Sequence, residues 1–121
     1  MGSHIELGKT GESIAVAYLT GKGYKIIDRN WRFGHEEIDI IARDGDFIVI
    51  VEVKTRTSNS IAEPEDAVNK GKQRILVRAA NAYVNYKCLQ GEVRFDIISV
   101  LIRPEGEQVK HLADAFYATM R

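Results

Sequence analysis

Asp39, Glu52 and Lys54 are the residues of this 121-residue chain whose types and spacing best suit chemistry. Two carboxylates that converge on one point can hold a hard divalent cation, which prefers oxygen ligands. An ammonium beside them can orient or stabilise an anion. Phe47–Lys54 reads Phe-Ile-Val-Ile-Val-Glu-Val-Lys, apolar on both faces until Glu52. Such strands lie in the middle of sheets, where a charged side chain is costly unless paired or metal-bound. A lone Glu-x-Lys is more often a salt-bridged pair at a strand end. Here it gains weight from Asp39, thirteen residues upstream in a second β run, Glu37–Arg43.

The two runs flank Asp44-Gly45, a dipeptide favoured at the centre of a type I′ hairpin turn. With that two-residue turn, Arg43 pairs with Asp46, Asp39 faces Ile50, and Glu37 faces Glu52. Alternation with period two then puts Glu37 and Asp39 on one face with Ile50, Glu52 and Lys54. Asp39 and Glu52 become diagonal neighbours, roughly 7–8 Å apart at the backbone. A fourth acid comes from the first helix, expected over 7–22. There Glu12 shares a stripe with Ala15, Val16 and Leu19, and Gly21 and Gly23 end the helix.

The remaining elements must carry this hairpin. A strand is expected over 24–32. A loop follows the hairpin at 58–62, and a helix runs from Pro64 to about Tyr86 with Ile75, Ala79, Ala80 and Tyr83 as its buried stripe. A strong strand covers Val93–Ile102, a short edge strand Val109–Leu112, and a final helical turn Ala113–Met120. The order α-β-β-β-α-β plus a tail describes an α/β domain with a mixed central sheet flanked by helices. Residues 1–4 read as a leftover of expression, and 5–121 as one domain.

Composition narrows the function classes. No apolar run approaches 18 residues, so no helix is expected to span a membrane, and no signal peptide is recognisable. Cys88 is the single cysteine, which excludes an intrachain disulfide and a cysteine-based zinc cluster and favours a reducing, cytoplasmic setting. Lys plus Arg equals Asp plus Glu at 17 each, so phosphate binding cannot rest on bulk charge. The distribution is uneven. Residues 1–53 hold nine acids against six bases, whereas 54–78 hold six bases against three acids. An acidic segment followed by a basic one suits a carboxylate site flanked by phosphate contacts.

Among those bases, Arg56 continues the Glu52–Lys54 face, and Lys72 aligns with Ile75, Ala79 and Tyr83, which turns it toward the cleft. Arg56, Lys72 and Gln73 are therefore the candidate phosphate contacts. A solvated helix face suffices for Lys70, Arg74 and Arg78. His35 and His111 lack metal-pair spacing. Arg94 and Asp96 read as paired with sheet neighbours, and Trp31 as core, although its ring could stack on a base.

Gly11-Glu12, Arg29-Asn30, Glu37-Ile38-Asp39, Glu52-Val53-Lys54 with Arg56, and Arg94-Phe95-Asp96 together resemble the YraN-like family of the restriction-endonuclease-like PD-(D/E)XK superfamily, similar to archaeal Holliday-junction resolvases. The likeness extends from about Leu7 to Phe116. It departs at His35-Glu36, where a glycine is expected before Glu-Ile-Asp. The resemblance implies an αβββαβ core with Asp39, Glu52 and Lys54 as the catalytic set and Glu12 as the helix-one acid. It implies Mg²⁺ or Mn²⁺ as cofactor, held by Asp39, Glu52, Glu12 and the Val53 carbonyl. It further implies DNA, including branched or junction DNA, as substrate, and a homodimer by analogy with resolvases. Two other readings compete: a non-catalytic nucleic-acid-binding module working with a partner, and an interaction protein whose acids form only an ion-pair network.

Overall fold

The computed structural model describes residues 4–57 and 68–116, with side chains from Leu7 onward. Its elements are α1 (His4–Gly21), β1 (Lys25–Phe33), β2 (Glu36–Asp44), β3 (Phe47–Arg56), α2 (Lys70–Lys87), β4 (Glu92–Arg103) and β5 (Gly106–Phe116). This is the expected αβββαβ order followed by an edge strand. The five strands lie in sequence order β1-β2-β3-β4-β5. β3 and β4 run parallel through the α2 crossover, and the other neighbours are antiparallel, so the sheet is mixed.

β3 explains why its sequence is apolar on both faces. Ile48 and Ile50 pack with Leu76, Tyr83, Phe95 and Ile97 under α2. Val49 and Val51 pack with Ala15, Leu19, Ile98 and Val100 under α1. The strand is covered from both sides until Glu52, where burial relaxes. The buried face of α2 is Leu76, Val77, Ala79, Ala80 and Tyr83. Ile75, expected in that stripe, is only half-buried, because the stripe is rotated toward Leu76 and Val77.

Several boundaries differ from the sequence expectation. The hairpin turn is Gly45-Asp46 rather than Asp44-Gly45, with Asp44 paired to Phe47. Gly45 has φ +60° and Asp46 is not in the left-handed region, the pattern of a type II′ turn with glycine first. α2 begins at Lys70. Asn69 is extended there and its side chain accepts from the Lys72 N–H at 2.9 Å, a strong N-cap. Pro64 and the loop at 58–62 lie outside the described residues. β5 is longer than the short strand expected. Ala113–Phe116 are strand rather than helix, because a bulge at Asp114 (φ +54°) lets Phe116 pair with Phe95. Residues 117–121 lie outside the described residues.

Both helices end in Schellman motifs. At α1 the Tyr24 N–H reaches Leu19 O and the Gly23 N–H reaches Thr20 O, with Gly23 at φ +94°. At α2 the Leu89 N–H reaches Val84 O and the Cys88 N–H reaches Asn85 O. Here Cys88 occupies the left-handed position at φ 54°. That gives the lone cysteine a backbone role, at a cost of roughly 1–2 kcal/mol relative to glycine. Cys88 is exposed, so its side chain contributes little packing in return. Cys88→Gly is expected to raise stability by about 1 kcal/mol in chemical denaturation without changing the slope of the transition.

Candidate metal centre

The site forms where the sheet's regular alternation fails. Ile41 faces the α2 layer and Ile40 and Ala42 face the α1 layer, as period two requires. Ile38 also faces the α2 layer, so the alternation breaks at Asp39. The residue across from Asp39 on β1 is Asn30, which adopts a left-handed backbone at φ +53°. The β2–β3 ladder ends at Ile40–Val51. One step further, the Val53 N–H donates to Asp39 Oδ2 at 2.7 Å, a side chain standing in for the ladder.

Acids from both faces meet at this break. On the α1 side, Glu12, Glu37 and Asp39 each offer a carboxylate oxygen, all within 4.8 Å of one another. Asn30 Nδ2 ties them together, donating to Glu12 Oε1 at 2.7 Å and Glu37 Oε1 at 3.2 Å. On the α2 side, Lys72 Nζ lies 3.2 Å from Glu36 Oε1 and 3.8 Å from Glu52 Oε2. The other oxygen of Glu52, Oε1, is buried and has no hydrogen-bond partner among the described residues.

α1 delivers Glu12 through a close approach at Gly11. A Cβ at that position would stand 1.8 Å from Thr55 Oγ1 on β3. Only a glycine lets the helix backbone lie against the strand there, and the next residue is then at the cleft.

Residues 11–100 match the model described as "Uncharacterised protein family UPF0102". The chain belongs to the UPF0102 family. A UPF0102 protein of Bacteroides thetaiotaomicron is 49% identical over 117 residues, covering 97% of each chain. Another from Flavobacterium johnsoniae is 43% identical over 121 residues, covering 97% of this chain and 98% of its own. Among solved structures, Pyrococcus furiosus SfsA in complex with Ca²⁺ gives a TM-score of 0.37 at 15% identity, covering 89% of this chain and 62% of that one.

In this UPF0102 chain the electrostatics of the cleft are self-repulsive. Burial, then the neighbouring Glu52 charge, push the Asp39 carboxyl up to about 8, with Glu12 and Glu37 adding to the rise and the Val53 N–H opposing it. Burial likewise raises Glu52, while Lys72, Lys54 and a side-chain hydrogen bond with Asp39 pull it down. Burial depresses Lys72, but Glu52 and Glu36 outweigh it and the net shift is upward. Two carboxylates close together in a shielded place cannot both ionise cheaply.

The structure sorts the residues singled out in the sequence. Asp39, Glu52, Glu12 and Lys72 gather at the break, with Lys54 close enough for its charge to act on Glu52. The shift of the turn by one residue moves the pairing by two, and the ladder ends at Ile40–Val51, so Asp39 meets Glu52 beyond the paired residues rather than as the diagonal neighbour expected. Glu37 does not share the Glu52 face as expected. The break at Asp39 sends it to the α1 side beside Glu12, and puts Glu36 on the α2 side instead. Val53 contributes its N–H to the site. Arg56 is half-buried, with its Nε lacking a partner among the described residues. Gln73 Nε2 donates to the Val68 carbonyl at the start of α2. Glu36 and Asn30 are the residues of the site that strand periodicity could not find. Arg94 and Asp96 find partners on neighbouring strands, as expected, and also bond one another: Arg94 reaches Asp44 on β2, and the fully buried Asp96 takes hydrogen bonds from His111 and the Asp114 N–H on β5, a structural network on the α1 side.

Two outcomes follow from this geometry. Gly11→Ala forces α1 away from Thr55 and is expected to cost about 1–3 kcal/mol in thermal or chemical unfolding. Folded Asp39 keeps its proton up to about 8, whereas the unfolded carboxyl releases it near 3.8. The folded state therefore binds more protons across that window, and stability falls as pH rises through it, by at most about 1.4 kcal/mol per unit. Denaturation of the metal-free protein between those pH values should show this decline, and Asp39→Asn should flatten it.

Proposed function

We propose that this UPF0102 protein is a metal-dependent nuclease of the PD-(D/E)XK type, hydrolysing phosphodiester bonds of DNA. The observation that carries the reading is the buried, unpartnered Glu52 Oε1 beside an Asp39 whose ionisation its neighbours oppose. An open carboxylate lone pair within a self-repelling set of acids suits a divalent cation, which would relieve both costs. Asp39 and Glu52 would hold Mg²⁺ or Mn²⁺, with Glu12 and Glu37 as further oxygen donors and the Val53 carbonyl as a backbone one. The ion supplies Lewis-acid polarisation of the scissile phosphate and neutralises its charge.

The chain's own groups do the rest. Lys54 orients the attacking water and stabilises the negative charge that grows on the phosphoryl oxygens. Lys72 exchanges its contacts with Glu36 and Glu52 for the phosphate beside the reacting one. Arg56 continues the same face and binds the next phosphate, with Gln73 at the opening of α2. The Val53 N–H keeps Asp39 aimed into the cleft. Resemblance to junction resolvases extends the reading to branched DNA, a homodimer and a cytoplasmic setting.

The test is cleavage of labelled duplex, single strand, flap and four-way junction with Mg²⁺, Mn²⁺ or EDTA. Metal-dependent cutting should fall by about 10²–10³-fold in Lys54→Ala, as when one transition-state charge contact is removed, and further in Glu52→Ala. A protein that shifts these substrates equally with or without Glu52, and cuts none, is instead a binding module.

A further inference from the structure

Two exposed aromatic rings, Phe33 and Tyr86, flank the half-buried Trp31. Phe33 is 39% exposed and Tyr86 71% exposed, both large for such side chains. Trp31, half-buried, sits between them: nearly parallel to Phe33 at 6.3 Å and 11°, and 6.4 Å from Tyr86. The buried Tyr83 meets Trp31 edge-on at 5.1 Å and fixes it from below, with its own hydroxyl on Asp28. Core packing accounts for Tyr83 and for one face of Trp31. It does not account for Phe33 and Tyr86, whose rings remain in water on an edge strand and a helix end.

This patch is joined to the metal centre by direct contacts. Phe33 pairs with Glu36, Glu36 holds Lys72, and Lys72 reaches Glu52. Lys72 and Tyr86 are also two heptads apart on α2, so they lie along one edge of the helix, about 21 Å from end to end. None of the 18 residues of α2 is acidic, whereas Lys70, Lys72, Arg74, Arg78 and Lys87 are basic, in a chain with no net charge. Lys87 Nζ itself stands 5.6 Å from the Tyr86 ring. Lys70, Arg74 and Arg78 lie on the outer face of the helix, and Lys72 at the cleft and Lys87 beside Tyr86 put a cation near each end of the edge. Cations at the two ends of an acid-free helix, one of them against open aromatic faces, match a ligand with alternating phosphates and flat rings. A second copy of this chain fits less well, since a two-fold contact centred on the patch would bring two acid-free α2 helices together.

We infer that Trp31, Phe33 and Tyr86 form a stacking platform for unpaired bases of a nucleic-acid strand whose backbone follows α2 into the cleft. The inference rests on the proposed function for its ligand class and narrows it to substrates with a single-stranded arm. A fully paired duplex keeps its bases inside the stack and cannot use the platform.

Trp31 is the only tryptophan in the chain, so its fluorescence reads the platform directly. Titration in EDTA would compare oligothymidylate with an abasic oligonucleotide of equal length and charge. Oligothymidylate should quench Trp31 and bind roughly tenfold more tightly or better than the abasic strand. Phe33→Ala and Tyr86→Ala, both at exposed positions, should each erase much of that difference while leaving abasic binding unchanged. Equal affinity for the two strands, no quenching by oligothymidylate, or a Trp31 signal that follows protein concentration without any strand would overturn the inference. The last outcome would assign the patch to self-association. Because binding is read without metal, a failure here is separable from a failure to cleave, which would overturn the nuclease reading alone.

Discussion

The hydrogen bond from the Val53 N–H to Asp39 Oδ2 is the hinge of this structure. A hairpin between two β-branched strands would ordinarily zip along its whole length. Here the ladder stops at Ile40–Val51, and a carboxylate takes over the next backbone donor. The strands can separate without orphaning that N–H, which would otherwise cost about 1–3 kcal/mol. The opening admits side chains from both faces of the sheet to one point. Asn30 makes the same accommodation on β1, where its left-handed backbone lets the amide turn to Glu12 and Glu37.

Everything else in the fold keeps that opening from collapsing. The cores on the two faces of β3 are separate clusters, each securing one helix. α1 is pinned at Gly11 against Thr55 and at its end by the Tyr24–Arg94–Asp96–His111 network, in which Asp96 has no exposed surface. Asp96 stays ionised, its carboxyl lowered by His111, Arg94 and the Asp114 N–H against the opposing effect of burial. Asp39 is the opposite case, an acid whose neighbours are other acids. The chain thus places one buried carboxylate among cations and donors in its scaffold and a set of mutually opposed carboxylates in its cleft.

Much of this was legible in the residues. The apolar run of β3 announced a central strand, and the charges at Glu52 and Lys54 marked where its cover ends. Glu12 on an apolar stripe announced a helix that carries an acid to the sheet. Asp39 and Glu52 meet without sharing a face, because acids from both sides of the sheet reach the break beyond Ile40–Val51. Glu37 keeps its expected place beside Asp39 but not the Glu52 face, because period two assumes an unbroken strand and no local signal in Glu37-Ile38-Asp39 declares the break. Its cause is tertiary: a bond to a backbone amide fourteen residues away and a left-handed residue on the neighbouring strand. The extension of β5 escaped for a similar reason, since Asp114 adopts its bulge around the buried Asp96 carboxylate, to which its N–H donates.

The division of acids between the two faces has a consequence for how the centre comes into being. Glu12 arrives with α1, and the Lys72 counter-charge arrives with α2. Neither docked helix alone assembles the set, because each rests on a different cluster of the core. A nascent or partly unfolded chain with one helix adrift holds an incomplete cage, with either an acid or its counter-ion missing. Assembly of the centre is thereby a conjunction of two packing events, and it reports the completion of the fold rather than its onset.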